Sequence, residues 1–456
     1  MTTILPLLDQ LQPELPKTTC RQLQHIVVAM LAMTGRITQL GLSRWTDKGA
    51  SYRTIQRFFH TNIDWLALKW RFFELFCLDK QGVYLLAGDE TVITKSGKHT
   101  FGIDRFFSSL FDKAIQSIAC FSMALIHVGK RQAYSLSTEQ VVRTDEEKQQ
   151  AKLRKQASKN RSKKKQPQKP VGRPAGSTNK NKAEVVLNPE LLRILAQAKK
   201  LLKLIQNKIK ICYFVLDGHF GNHYAAAMAG QLGLFIISKM RADAALFLLP
   251  TADQKHKQPR KKYGTRLDYA NLPEDRLCWR KTEHGYCTEV YQAKCLHKDF
   301  AEPLNVVIVV KTQLLSGRRG HVVLFSTDLS LAADLLVDYY TLRFQIEFTF
   351  RDAKQHFGLE DWMGVSQTCV ANGIGLSLFM VNLSSYLLGA FRLRYAGAGI
   401  LDLKGCYRGR HYLDAVLKLL ADQPDAIVCG RLLDQISQLG SIHGRSQRAP
   451  DLEMAA

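Results

Sequence analysis

Two short apolar runs in this chain each close on an aspartate beside a glycine. Val83 to Gly88 ends at Asp89, and Lys210 to Leu216 ends at Asp217, which precedes Gly218. Runs of this length and composition read as buried strands. Gln116 to His127, Arg131 to Val142 and Gly233 to Lys239 are further strand candidates. Pro189 to Lys208 and Asn222 to Leu232 have helical patterning. The order is therefore three strands, a helix, a strand, a helix and a strand. Hairpin-joined strands followed by βα units predict an α/β fold, a mixed sheet with helices packed on its faces.

An acid directly after a buried strand sits where neighbouring strands converge. It tolerates desolvation there when something positive neutralises it. A divalent cation does so, and hard Mg²⁺ or Mn²⁺ prefers oxygen ligands. The alternative is a turn-forming aspartate next to its glycine. A third feature bears on that choice. Leu331 to Phe357 reads as one long helix, in which Tyr340, Arg343, Glu347 and Lys354 are spaced by 3, 4 and 7 residues. At roughly 100° per residue they share about 60° of arc. Leu342, Phe344, Ile346, Phe348 and Phe350 put apolar groups around much of the rest. A polar stripe on a buried helix needs a ligand or a cavity; an amphipathic helix with a repeating polar face is the plainer reading. Glu347 can complete a three-carboxylate site with Asp89 and Asp217.

Charge points to the partner. Lys and Arg total 64 against 40 acids, a net charge of +24. Neutralising phosphates releases condensed counterions, so such an excess favours a polyanion. From Lys148 to Lys182 there are 13 Lys or Arg and no acid, within a low-complexity insert (145–186) that cannot form a core. Arg173, in Gly172-Arg173-Pro174, resembles a minor-groove AT-hook; a non-specific phosphate tether is the alternative. Residues 1–80 read as a helical domain. A turn at 47–49 and Ser51 as an N-cap precede a helix from Tyr52 to Phe59. Arg53, Gln56 and Arg57 would face DNA while Ile55, Phe58 and Phe59 face the core, or the segment is a plain bundle with solvated arginines. Residues 245–328 read as a separate β-rich insertion, with a basic stretch from Lys255 to Lys262 and strands at Leu277 to Lys281, Tyr286 to Ala293, Leu304 to Lys311 and His321 to Ser326. A further apolar helix covers about 373–393. A helix is expected at 411–421, in a C-terminal region, 396–456, without assigned role. The ten cysteines hold no CxxC pair, and Cys278, Cys287, Cys295 and His297 fit no common zinc spacing. They are expected as thiols in a reducing cytoplasm. No secretory signal is expected at the start, and no uninterrupted apolar segment has membrane-spanning length.

The spacing Tyr340-x2-Arg343-x3-Glu347-x6-Lys354 resembles the YREK signature of the insertion-sequence-four group of DDE transposases. His356 to Glu360 and Asp89-Glu90-Thr91 with Lys95 and Gly97 are similar to the same group. Asp217-Gly218-His219-Phe220 stands where many members have Asp-Arg-x-Phe, so the Arg is missing and the role of His219 is open. The resemblance spans about 80 to 395. It implies a ribonuclease-H-like core in two parts (81–244 and 329–395) around the insertion. It also implies cleavage at transposon ends and joining to target DNA by two-metal phosphoryl transfer. Asp89, Asp217 and Glu347 would hold Mg²⁺, with Mn²⁺ able to substitute. Tyr340, Arg343 and Lys354 would contact DNA, and Trp279 would either stack on a flipped base or lie in the core. The expected partner is double-stranded DNA, bound by a homodimer in a bacterial cytoplasm, with no membrane partner. The rival readings are a ribonuclease-H-like nuclease that does not join strands, a domesticated DNA-binding relative, and an RNA-binding structural protein, which would leave the strand-end acids unexplained.

Overall fold

A computed structural model of the protein describes residues 4–46, 50–108, 110–149, 153, 156, 185–206, 208–250, 262–420, 424–436, 439, 442 and 443. The turn at 47–49, most of the basic tract including Arg173, and most of the basic stretch at 255–262 lie outside them.

The chain opens with five helices: α1 (Ile4–Asp9), α2 (Lys17–Ala32), α3 (Gln39–Trp45), α4 (Tyr52–His60) and α5 (Trp65–Phe76). Local chemistry sets their starts. The Thr38 and Ser51 hydroxyls and the Asp64 carboxylate each accept from a first-turn backbone N–H of α3, α4 and α5. Apolar residues at helical spacing then bury Leu23, Ile26, Val27, Met30 and Leu31 on α2 and Ile55, Phe58 and Phe59 on α4. These helices share one continuous hydrophobic cluster with the rest of the protein.

Among the described residues eleven strands follow: β1 (Tyr84–Thr94), β2 (Asp104–Ser108), β3 (Lys113–His127), β4 (Gln132–Val141), β5 (Ile211–Val215), β6 (Phe235–Met240), β7 (Leu246–Leu248), β8 (Leu277–Glu283), β9 (Tyr286–His297), β10 (Leu304–Gln313) and β11 (Arg319–Ser326). They form one mixed sheet ordered β2-β3-β1-β5-β6-β11-β10-β9-β7, with β4 also on β3 and β8 on β9. β1, β5 and β6 are parallel; β3 on β1 and β11 on β6 are antiparallel. Helices α6 (Pro189–Ile205) and α7 (His223–Gln231) flank β5 in sequence. After β11 come α8 (Ala333–Leu342), α9 (Phe344–His356), α10 (Gln367–Arg394), α11 (Ile400–Leu417) and α12 (Ala426–Ile436). Helices α5, α9 and α10 pack against β4, α9 also against β1, and α7 and α8 against β6.

Several boundaries differ from the sequence reading. β1 does not stop at Asp89. β3 pairs with it from Tyr84↔His127 to Thr94↔Ser117, whereas β5 pairs with it only as far as Ala87↔Val215. Asp89 therefore lies inside a strand, just past the point where one edge loses its partner. The strands of 245–328 extend the central sheet through the β6–β11 pairing rather than forming a sheet of their own. The long helix expected over 331–357 is interrupted at Arg343. There the backbone tightens: the Arg343 N–H donates to Tyr340 O, three residues back, and the Ile346 N–H to Arg343 O. Strands β2 and β7 and helix α12 were not expected, and α11 begins well before 411. α10 has the length and hydropathy of a membrane span, but 72% of its most apolar window is buried within the protein.

Candidate functional site

The register of β1 and β5 fixes the first two acids. Ala87 pairs with Val215 in parallel; two residues further on, Asp89 is still within β1 while Asp217 lies just past the end of β5, close enough for the two carboxylates to repel each other. Gly88 lets Phe121 and Leu216 close up on the opposite face of the strand: a Cβ there would lie 2.7 Å from the Phe121 ring and 3.0 Å from Leu216. Asp217 caps a single 3₁₀ turn, its carboxylate accepting the His219 N–H at 3.1 Å and its carbonyl the Ser238 hydroxyl at 2.6 Å.

Helix α9 brings the third acid. Arg343, at the α8–α9 break, donates from Nη1 to Asp89 Oδ2 and from Nη2 to Glu347 Oε1, both at 2.8 Å. Its side chain is 6% exposed, against 19% for Asp89 and 44% for Glu347. The guanidinium lies near the rings of Phe344 and Tyr340, and its Nε is buried without a partner. Burial pushes the Asp89 carboxyl up to about 6; Arg343 and the Glu90 N–H pull it down, and Asp217 and Glu347 push it further up. Burial works against the charge of Arg343, yet Asp89 and Glu347 outweigh it. The acids thus crowd one another, and a guanidinium is the cation between two of them.

The other residues singled out by sequence are placed as follows. Tyr340 is half-buried, its hydroxyl raised by burial and by Asp217 and Glu347 against the pull of Arg343. The Lys354 ammonium donates to Val92 O at 2.7 Å and pairs with Glu360 at 3.3 Å. Lys95 beside it donates to Glu360 O and Trp362 O. Phe344 and Phe348, expected to close the buried face, are each 45% exposed. Arg53 and Arg57 are exposed on α4, and Gln56 is half-buried. The Trp279 indole N–H donates to Asp334 at the start of α8, and its ring packs against the hydrophobic cluster. Arg173 lies outside the described residues.

Two features had no signal in the sequence. One is the role of Arg343 as counter-ion to an acid 254 positions away. The other is a second polar group beside Asp217. The His219 ring bonds Glu190 on α6 at 3.3 Å, and Glu190 raises both the His219 imidazole and, after burial, the Glu90 carboxyl. His219 is therefore a hydrogen-bond partner of Glu190, a pairing invisible from its place after Asp217.

The donor set of Asp89, Asp217 and Glu347 is all carboxylate oxygen, which suits hard divalent ions. As placed, no three His, Cys, Asp or Glu side chains among the described residues converge closely enough to share one ion. Arg343 stands as the cation in that space. The family described as DDE superfamily endonuclease matches residues 10–296, well over half of the chain. The matched span includes Asp89 and Asp217 and stops short of Glu347. No curated protein matches the chain.

Proposed function

The chain belongs to the DDE superfamily endonucleases, and from that premise we propose that it is a DNA transposase of the YREK, insertion-sequence-four-like group. Family membership makes it a nuclease-type enzyme with DNA as substrate, and its large mixed sheet flanked by helices is consistent with a ribonuclease-H-like core. The finer reading rests on one observation: through Arg343, helix α9 brings Glu347 to the strand acid Asp89, beside Asp217. Asp89, Asp217 and Glu347 would hold divalent metal, Mg²⁺ or in its place Mn²⁺. Bound there, the metal would activate water and neutralise the leaving 3′ oxygen at a phosphodiester.

The chain's own residues hold the DNA. Tyr340 and Arg343 stand next to the acids, where a hydroxyl and a planar guanidinium can take phosphate oxygens. Phe344 and Phe348 add an exposed apolar rim on the same helix. Lys354 fixes α9 to β1 through Val92 O and reaches phosphate only by giving up Glu360. The β-rich segment 245–328, the α4 face with Arg53, Gln56 and Arg57, and the basic tract with Arg173 complete the DNA-binding surface in this reading. Joining two ends calls for at least a dimer.

The test is incubation with DNA carrying the element's own ends and Mg²⁺, scored separately for cleavage and for joined product. Asp89→Ala, Asp217→Ala and Glu347→Ala are each expected to lower cleavage by a thousandfold or more while end-binding persists. Full cleavage by any of the three would remove that residue from the site. Cleavage without joined product would make the chain a nuclease and not a transposase.

A further inference from the structure

Arg343 does two things that are hard to reconcile with a fixed phosphate contact. It is buried, and both of its terminal nitrogens are committed to carboxylates on different elements. Yet its Nε has no partner in a place where water does not reach it. A guanidinium settled for good in a protein interior normally has all its donors met. This one is pinned where its charge is needed and not where its hydrogen bonds are complete.

The charge is needed because of the acids. Asp89 and Glu347 share the single guanidinium of Arg343, 2.8 Å from each, and the Asp89 side chain is only 19% exposed. One positive charge against this cluster leaves it under-neutralised, and the same oxygens are the ones a divalent ion would take. An ion of charge +2 and a guanidinium cannot both sit between Asp89 and Glu347 without strong repulsion at low effective dielectric. They are alternative cations for one place. The arginine leaves only if another anion receives it, and a phosphate oxygen pair matches its fork.

We infer that Arg343 is an internal cation that occupies the place between Asp89 and Glu347, and that a DNA phosphate draws it out, so that metal loads tightly only when DNA is bound. The break between α8 and α9 falls on Arg343 itself, where a side chain can swing without unwinding either helix. Such an exchange is a coupling between two ligands, and it must be reciprocal: DNA tightens metal as much as metal tightens DNA. The inference rests on the proposed role of Asp89 and Glu347 as metal ligands. Its physical effect would be to keep an uncommitted nuclease site from assembling in the absence of substrate.

The experiment measures Mn²⁺ binding to the full-length protein by electron paramagnetic resonance, with and without a short duplex DNA, the DNA's own uptake being subtracted. In the parent protein, DNA is expected to tighten Mn²⁺ by tenfold or more. Arg343→Gln is expected to bind Mn²⁺ at least tenfold more tightly than the parent without DNA, and to gain nothing from DNA. Arg343→Lys, which keeps one charge and loses the fork, is expected to fall between them and serves if the Gln variant folds poorly. Parent-like or weaker Mn²⁺ binding by both variants without DNA would overturn the inference. A parent protein whose Mn²⁺ affinity is indifferent to DNA would overturn it as well. Asp89→Asn and Glu347→Gln test the underlying reading on its own: if neither weakens Mn²⁺, the acids are not the ligands and the failure lies there.

Discussion

The Asp89 carboxyl has to ionise in a place that resists it. Burial is the main reason it is held up to about 6, and the neighbouring acids add to it. An acid with a higher pKa folded than unfolded binds its proton more tightly in the fold. Its contribution to stability is whole below the unfolded value near 4 and is lost as pH rises from there through about 6. At neutral pH the metal-free protein carries that loss, at most about 3 kcal/mol by the conversion of pKa to free energy. Asp89→Asn removes it while leaving an oxygen for Arg343. Urea unfolding of the metal-free variant at pH 7 should therefore show higher stability than the parent, with the difference fading below pH 4. A variant no more stable than the parent at pH 7 would mean that Arg343 neutralises the site fully. The position of this acid was legible, because an acid after an apolar run is rare enough to notice. Its counter-ion was not. Helical spacing shows which residues share a face, but not which strand that face meets, and so Arg343 reads as a hand for DNA when its present partners are Asp89 and Glu347.

At the scale of elements, one buried side chain ties the junction of α4 and α5 to the core, in addition to the shared hydrophobic cluster. Asn372 on α10 accepts from the Trp65 indole at 2.8 Å and donates to Phe59 O at 2.9 Å and Thr61 O at 2.8 Å. It thereby closes the C-terminal end of α4 and the start of α5 at once. Three residues along, Gly375 lets the Trp65 ring lie against α10, where a Cβ would come within 2.3 Å of it. Asn372→Leu keeps the number and branching of heavy atoms and orphans a buried indole N–H and two carbonyls. The expected loss is about 2–4 kcal/mol in urea unfolding, far above a surface substitution; a loss under about 0.5 kcal/mol would mean that the joint is not where α4 and α5 are held. Strands with continuous apolar runs were legible as strands, because burial dictates their composition. Their ends were not, because an end depends on the partner: β1 runs past Asp89 only because β3 continues beside it. β2, with exposed residues alternating around Phe106, and α11, whose buried face includes Lys404 donating to Met30 O and His356 O, break the patterns that announce an element.

For the whole molecule, the sheet and the charge divide the work. The core brings acids together, which repels a polyanion, so the attraction has to come from elsewhere. The segment from 148 to 182 holds 13 of the cations and no acid, about half of the net charge of +24. In sequence it lies between β4 and α6, and α6 carries Glu190, which bonds His219, two residues after Asp217. If it binds phosphates as proposed, this cationic segment would raise the local concentration of DNA near the acids. Its removal should change association and spare chemistry. Each phosphate it neutralises contributes about 0.9 to the slope of log affinity against log salt on duplex DNA. A chain lacking 148–182 should therefore bind DNA more weakly at low salt, with a slope flatter by several units. Its cleavage rate at saturating DNA should stay within a fewfold of the parent. An unchanged slope would place the phosphate contacts on the folded surface instead, with α4 and the β-rich segment as the cations responsible.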